Sequence, residues 1–269
     1  MVDVDGHRVH IYCTGEGDPT VVVASGGFSF DWGLIQPEIA KTNRICTYDP
    51  AGTAWSEPVP GREHPACSDR VWELNRLLHN ADIAPPYVLV GFSIGGLVAR
   101  LYAARYPKDV VGMVLVDHAF VDAPAPSASP DRAAVQAAGL DSPPVLLTKT
   151  PIVLDLEDDE NFTKLPAVNQ KLHRWALTVS ERPTPEMATH CFSEVAKAEA
   201  ANWALGEKPL AVVSTRNDAD GYAQLQNRLL ALSHKSKQFV AENSTHMVII
   251  DQPETVIQAI RFVISSSGQ

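Results

Sequence analysis

Three polar side chains, far apart in the chain, are of the types that nucleophilic catalysis requires. Ser93 lies in the run Gly91-Phe92-Ser93-Ile94-Gly95, which fits the G-x-S-x-G pattern of a nucleophile elbow. A serine hydroxyl is a weak nucleophile unless a histidine takes its proton and an acid orients that histidine. Asp218 and His246 each lie in a loop that follows an apolar run. The order Ser93, Asp218, His246 is the nucleophile, acid and base order that accompanies a genuine elbow.

The residues around Ser93 predict the strand and the helix that such an elbow needs. Residues 87–90 are apolar and partly β-branched, which indicates a buried strand, and residues 95–106 have helical character up to Pro107. The chain must turn sharply at Ser93, and side chains two positions either side would collide, so glycine is expected at both. The competing interpretation is a strand, turn and helix with an incidental serine.

Elsewhere in the chain, apolar runs alternate with amphipathic segments. Because most of these runs are continuously apolar, they predict a parallel sheet covered on both faces, and therefore an α/β fold. We expect the first two strands to be antiparallel neighbours. Ser68 is expected to cap one helix, whose apolar residues Val71, Leu74, Leu77 and Leu78 fall on one face. Asp251, with Glu254 three residues on, is expected to cap the last helix. The predicted strands are residues 8–13, 20–24, 44–49, 87–90, 110–117, 209–214 and 237–241.

The alternation stops between the two halves of this pattern. Residues 121–206 are rich in Pro and Ala and contain no convincing central strand, but residues 167–180 and 184–204 have helical periodicity. We therefore predict a core formed by residues 1–120 and 207–269, with residues 121–206 inserted as a helical cap. His173 and His190 fall in this insertion and are expected to be ordinary residues of amphipathic helices rather than bases.

Composition limits the classes of partner. The chain has 269 residues and a net charge of −10, which argues against nucleic acid as a partner. No run reaches the ~18 apolar residues of a membrane span. The N-terminus lacks the features of a signal peptide, so a cytoplasmic location is expected unless a leader has been removed. No C-x-x-C occurs; Cys13 and Cys46 are expected to be small buried hydrophobic residues, and Cys46 could pair with Cys67 in an exported protein.

Four segments together resemble the α/β-hydrolase superfamily, of the kind that carries a helical cap after the sixth core strand. The resemblance implies a mostly parallel eight-stranded sheet with helices on both faces. It also implies that the N–H groups of Gly27 and Ile94 form an oxyanion hole, and that no metal or organic cofactor is needed. Many relatives have His-Gly where this chain has Ser25-Gly26. The segments are V-V-V-A-S-G-G-F-S-F-D-W, R-I-C-T-Y-D-P-A-G-T-A-W-S, P-Y-V-L-V-G-F-S-I-G-G-L-V-A-R-L-Y-A-A-R-Y-P and S-T-H-M-V-I-I-D-Q-P-E-T-V.

The function that follows is hydrolysis of a carboxylic ester of a small molecule through an acyl-enzyme. Ser93 would be the nucleophile, His246 the base and Asp218 the acid, with Asp117 and Asp220 as alternative acids. Lactonase, thioesterase, carbon–carbon bond hydrolase, perhydrolase and acyltransferase activities use the same kind of triad. A weakly hydrolytic ligand receptor on the same fold is the alternative from a different functional class. The sequence leaves the natural substrate and the oligomeric state open.

Overall fold

A computed structural model describes residues 1–59, 66–118, 161–180, 185–201, 203–216 and 222–268. In these residues eight strands form one sheet in the order β1-β2-β4-β3-β5-β6-β7-β8. All neighbouring pairs from β4 to β8 are parallel, and β2 runs antiparallel to β1 and β4. The predicted fold class, a mostly parallel eight-stranded α/β sheet, is confirmed. The strands are β1 (Val2–Asp3), β2 (Arg8–Thr14), β3 (Thr20–Ala24), β4 (Ile45–Asp49), β5 (Tyr87–Phe92), β6 (Val110–Val116), β7 (Leu210–Thr215) and β8 (Ser236–Ala241).

The first two long strands are not neighbours, so the expectation of an antiparallel pair is wrong. Strand β4 lies between β2 and β3 and pairs with both. The loop that joins β2 to β3 passes tightly over the segment before β4: a Cβ at Gly15 would lie 2.5 Å from the carbonyl oxygen of Ala40. A short loop usually joins two paired strands as a hairpin. Here the loop packs against residues 40–43, and the two strands that it joins are separated by β4.

Helices cover both faces of the sheet, as the continuously apolar strands predict. Helices α2 and α3 pack against each other, and α3 packs on β5, whereas α8 packs on β5, β6, β7 and β8. The predicted apolar stripe of α2, residues Val71, Leu74, Leu77 and Leu78, is buried. No helix in the described ranges is long and apolar enough to cross a bilayer. The helices are α1 (Gln36–Ile39), α2 (Cys67–Asn80), α3 (Gly95–Arg105), α4 (Ala167–Val179), α5 (Pro185–Ala200), α6 (Tyr222–Leu230), α7 (Val248–Asp251) and α8 (Pro253–Ser267).

Two residues expected to cap helices make other contacts. At the start of α2 the carboxylate of Asp69 accepts a backbone N–H 2.8 Å away, while the Ser68 hydroxyl donates to Glu194 of α5 at 2.9 Å. Asp251 does not cap α8; its carboxylate accepts the N–H and the hydroxyl of Thr245 at 2.7 and 2.8 Å. Both side chains therefore hold a second segment in place, a use that local sequence does not reveal.

Helices α4 and α5 are the described part of the predicted insertion. Helix α5 packs on α2 and α3, and α4 packs beside the segment that follows β3. Since residues 119–160, 181–184 and 202 lie outside the described residues, the division into a core of 1–120 and 207–269 and a cap of 121–206 stays a prediction.

All four cysteines form disulfides, which corrects two expectations. Cys13 is bonded to Cys46 across the β2–β4 pair, where their Cα atoms are 4.1 Å apart. Cys67 at the start of α2 is bonded to Cys191 of α5, with a Cα separation of 4.6 Å. Cys13 and Cys46 are therefore not free thiols, and Cys46 does not pair with Cys67. The partners follow from the strand register and from the docking of α5, which the spacing of cysteines along the chain does not encode.

The turn between β5 and α3 brings three backbones close together. Ser93 has a φ of +54°, in the left-handed region. A Cβ at Gly91 would lie 2.5 Å from the Cα of Gly96, as expected for a collision across the turn. A Cβ at Gly95 would instead lie 2.1 Å from the carbonyl oxygen of Ala24, at the end of the neighbouring strand β3. Glycine at position 95 therefore lets the helix start against the sheet.

We expect Gly95→Ala to lower the free energy of unfolding by roughly 1–3 kcal/mol, because the added methyl group meets backbone atoms that cannot turn away. Urea unfolding followed by circular dichroism measures the change. Gly268→Ala is the matched control, since a Cβ there has no atom within 4 Å. A Gly95→Ala protein that unfolds at the same urea concentration as the control would contradict the close approach.

We expect removal of the Cys67–Cys191 bond in the oxidised protein to lower the free energy of unfolding by about 2–4 kcal/mol, because this bond closes a long loop. The test compares the Cys67→Ser/Cys191→Ser protein with wild type in urea, with and without a reductant. Reduction should remove most of the difference. Peptide mapping under non-reducing conditions provides the control. Free thiols at both positions after oxidative refolding would contradict the pairing.

Candidate active site

Ser93 lies at the carboxyl end of the central strand β5, where α3 begins. Its N–H donates to the carbonyl of Val116, the last residue of the neighbouring strand β6, at 3.1 Å. Its side chain is nearly buried, with 9% of the residue exposed. This placement lifts the hydroxyl above the edge of the sheet, where the loops after the parallel strands meet.

His246 reaches Ser93 from the loop after β8. Its Nε2 atom lies 3.0 Å from Oγ of Ser93, and its ring stacks on Phe92 at a centroid distance of 5.3 Å. The hydrogen bonds that Asp251 accepts from Thr245 and from Ser244 fix the loop just before the ring. The ring of Phe92 therefore supports the imidazole.

The carboxylate next to His246 is that of Asp117. Its Oδ2 atom lies 2.5 Å from Nδ1 of His246. Asp117 directly follows β6 and has a φ of +34°, which turns the side chain toward the loop of His246. The structure therefore joins Ser93, His246 and Asp117 in one line of hydrogen bonds. A proton on Nδ1 leaves Nε2 free to accept the proton of the Ser93 hydroxyl.

The acid that the sequence favoured, Asp218, lies outside the described residues, as does Asp220. The alternative, Asp117, occupies the position at Nδ1 of His246 that an orienting acid must take. The signal for Asp117 was its place immediately after an apolar strand that ends beside the elbow strand. The same signal applies to an aspartate in the loop after β7, because β6 and β7 end at the same edge of the sheet. It therefore does not distinguish Asp117 from such a loop aspartate.

The two expected oxyanion donors line one pocket. Gly27 and Ile94 both line it, together with Ser25. The N–H of Gly27 donates to Oγ of Ser25 at 3.1 Å, so the serine that replaces the usual histidine occupies this donor. The N–H of Gly26 donates to the carbonyl of Phe92 at 3.1 Å, which ties the loop to the elbow strand.

Buried carboxylates hold the loop that carries Gly27. Asp31 accepts the N–H of Phe28 at 2.8 Å and lies 2.8 Å from Nδ1 of His173 on α4. Desolvation raises the pKa of the Asp31 carboxyl, and the hydrogen bond with His173 opposes that rise. Asp49, at the end of β4, accepts the N–H and the hydroxyl of Ser29 at 2.8 and 2.9 Å. The backbone after β3 is thus fixed both to the sheet and to helix α4.

The two histidines predicted to lie in cap helices have different surroundings. His173 is fully buried between α4 and the loop after β3, as a partner of Asp31. His190 is exposed on α5. Neither is the histidine that the structure places beside Ser93.

The pocket that Gly27 and Ile94 line is mostly apolar and includes one charged side chain. Arg70 of α2 lines it and donates to the carbonyl of Ala51 at 3.0 Å, with Glu73 as a more distant ionic partner at 3.5 Å. Cys191 of α5 also lines the pocket. Among the described residues, no group of three or more His, Cys, Asp or Glu side chains could hold a metal ion. The remaining lining residues are Ala24, Gly26, Phe28, Tyr48, Pro50, Thr53, Gly95 and Val98.

Comparisons with known proteins identify the family of this chain. Residues 21–259 match the sequence profile of the alpha/beta hydrolase family. The uncharacterized protein YqjL of Bacillus subtilis (strain 168) is 27% identical over 266 residues, which cover 96% of this chain and 88% of YqjL. A thermophilic esterase from Thermogutta terrifontis has a TM-score of 0.66 at 21% identity, covering 98% of this chain and 95% of its own.

The enol-lactonase from Burkholderia xenovorans LB400 is similar in the same way, with a TM-score of 0.68 at 16% identity and coverage of 97% of this chain and 98% of its own. At these identities the two structures establish the fold alone. The sequence profile, by contrast, spans most of the chain, including Ser93, Asp117 and His246. This chain therefore belongs to the alpha/beta hydrolase family.

Proposed function

We propose that this hydrolase is a serine esterase that cleaves a carboxylic ester of a small molecule through an acyl-enzyme. The observation that carries the proposal is the line of hydrogen bonds from Ser93 to His246 to Asp117, with distances of 3.0 and 2.5 Å. These are the contacts that a serine needs in order to lose its proton as it attacks a carbonyl carbon. The names of the two structural neighbours, an esterase and an enol-lactonase, support acyl transfer.

In the acylation half, Oγ of Ser93 forms a bond to the ester carbonyl carbon while its proton moves to Nε2 of His246. The carbonyl oxygen becomes negative and accepts hydrogen bonds from the N–H groups of Gly27 and Ile94. It replaces the Ser25 hydroxyl as the acceptor of the Gly27 N–H. As the bond to the leaving alcohol breaks, His246 gives its proton to that alcohol.

In the deacylation half, a water molecule takes the place of the alcohol. His246 accepts a proton from the water, whose oxygen attacks the acyl carbon, and the second tetrahedral intermediate uses the same two N–H donors. Collapse of this intermediate breaks the bond to Oγ of Ser93, releases the carboxylic acid and returns the proton to the serine. Asp117 stabilises the imidazolium in both halves and keeps the proton on Nδ1.

The cap and the disulfides add two further parts to the proposal. Residues 121–206 form a cap that supplies one wall of the substrate pocket, with Cys191 as its described contribution. The two disulfides favour a compartment in which thiols are oxidised, in place of the cytoplasmic location expected from the N-terminus.

We expect Ser93→Ala to lower the kcat for p-nitrophenyl acetate and butyrate by at least ~10⁴-fold, because the variant lacks the hydroxyl that forms the proposed acyl-enzyme. Release of p-nitrophenolate measures the rate. A fluorophosphonate should add to wild type at Ser93, as mass spectrometry of the peptide will show, and should not label the variant. Equal slow hydrolysis by wild type and variant across a panel of acyl lengths would sink the esterase proposal.

We expect Asp117→Asn to reduce kcat by on the order of 10³–10⁴-fold with little change in KM, because an amide stabilises the wrong tautomer of His246. Asp218→Asn is the matched control and should stay within about threefold of wild type. Measurement uses the same ester assay on both variants. A large loss in the Asp218 variant together with an active Asp117 variant would return the role of the acid to Asp218.

A further inference from the structure

A second buried histidine lies directly behind the nucleophile. His118 follows Asp117 and is 2% exposed, and its Nδ1 atom lies 3.2 Å from the carbonyl oxygen of Ser93. Burial and the neighbouring guanidinium of Arg100 hold the pKa of His118 well below its usual 6.5, so the ring is neutral. This ring belongs to none of the steps described above.

Arg100 determines which nitrogen of His118 carries the proton. Its Nη1 atom lies 2.9 Å from Nε2 of His118. A guanidinium has only donors, so Nε2 of the neutral ring must be the acceptor, and the proton resides on Nδ1. The N–H at Nδ1 then donates to the carbonyl of Ser93. Arg100 is 2% exposed and forms an ion pair with Glu199 of α5, which anchors the guanidinium to the described part of the cap.

The carbonyl of Ser93 and the N–H of Ile94 belong to one planar trans peptide unit, in which they point in opposite directions. A hydrogen bond that holds the carbonyl toward His118 therefore holds the Ile94 N–H toward the pocket. The same carbonyl also accepts the N–H of Gly96 at 3.1 Å. Donation to a carbonyl polarises the peptide, so it strengthens the N–H at the other end as a donor.

The backbone at this place needs such support and leaves room for it. Ser93 has a left-handed φ of +54°, so neither a regular strand nor a regular helix fixes the peptide that follows it. A Cβ at Gly96 would lie 2.2 Å from Nδ1 of His118. Glycine at position 96 is therefore what allows the imidazole to approach the Ser93 carbonyl.

From these contacts we infer that His118 is a positioning residue, which holds the Ser93–Ile94 peptide so that the Ile94 N–H faces the developing oxyanion, and that Arg100 sets the tautomer of His118 for this purpose. The inference rests on the proposed serine-hydrolase function, because the Ile94 N–H matters only when an oxyanion forms. It assigns a role to a buried Arg–His pair that touches neither substrate nor the transferred proton.

Two amide variants separate the two bonds of His118. His118→Asn places an N–H near the position of Nδ1 and keeps the donor to Ser93. His118→Gln extends its amide toward Arg100 and places no donor near the Ser93 carbonyl. We expect the Gln variant to lose about 10–100-fold in kcat/KM, less than the ~100–1000-fold cost of losing an oxyanion donor outright. KM should change little. The Asn variant should stay within about fivefold of wild type, because its donor to the peptide is intact.

Affinity for a boronic acid gives a readout that a merely structural role would not move. Phenylboronic acid forms a tetrahedral adduct on Ser93 and uses the oxyanion donors, so its Ki should rise in the Gln variant in parallel with the loss of kcat/KM. The Ki of the product alcohol should not change. Equal losses in both variants, or wild-type kcat/KM and boronate affinity in the Gln variant, would overturn the role of His118. Urea unfolding establishes that each variant is folded.

A third measurement does not depend on ester hydrolysis. In wild type labelled with ¹⁵N-histidine, the ring nitrogens of His118 should show a protonated Nδ1 and an unprotonated Nε2, assigned by comparison with His118→Asn. A His118 ring protonated at Nε2 would overturn the arrangement even in an active enzyme. If wild type hydrolyses no ester in a Ser93-dependent way, the proposed function fails, and this spectrum still decides whether the Arg100–His118–Ser93 bonds exist.

Discussion

The left-handed backbone of Ser93 is the constraint on which the site depends. This conformation costs of order 1–3 kcal/mol for a residue with a side chain, so the surroundings must hold it. They do so from two sides: the N–H of Ser93 is bonded to Val116, and its carbonyl to Gly96 and His118. The same turn points the hydroxyl toward His246. Removal of the supporting contacts would release the strain at the expense of the geometry that activates the serine.

Side-chain pairs connect this turn, and the loop of Gly27, to helices α4 and α5. Asp31 and His173 link the loop of Gly27 to α4, and Arg100 and Glu199 link the elbow to α5. Breaking such a buried pair by removing one partner commonly costs about 3–5 kcal/mol, whereas the intact pair contributes little net stability. The two pairs have the same geometric role. Each joins a helix to a segment that carries one of the expected oxyanion donors. The disulfide of Cys67 and Cys191 adds a covalent link at the same junction.

Much of the fold could be predicted because strands and helices follow from local patterns. Continuous apolar runs predicted the parallel sheet, and the stripe of Val71, Leu74 and Leu77 predicted a buried helix face. Partners could not be predicted in the same way. Which strand lies beside β2, and which cysteine faces Cys13, depends on how the loop after Thr14 crosses residues 40–43. Apolar periodicity predicts that a strand is buried, but it does not predict which strand lies beside it.

For the site, the sequence by itself determined the nucleophile pattern at Ser93, the histidine loop at His246 and the family to which both belong. Those features are local, because an elbow needs particular residues at fixed spacing. Only the tertiary structure decided that Asp117 lies against His246 and that His118 lies behind Ser93. The three carboxylates considered for the acid, Asp117, Asp218 and Asp220, all follow parallel strands that end at one edge of the sheet. Sequence order is therefore the same kind of signal for each, whereas the structure shows the contact between Asp117 and His246 directly.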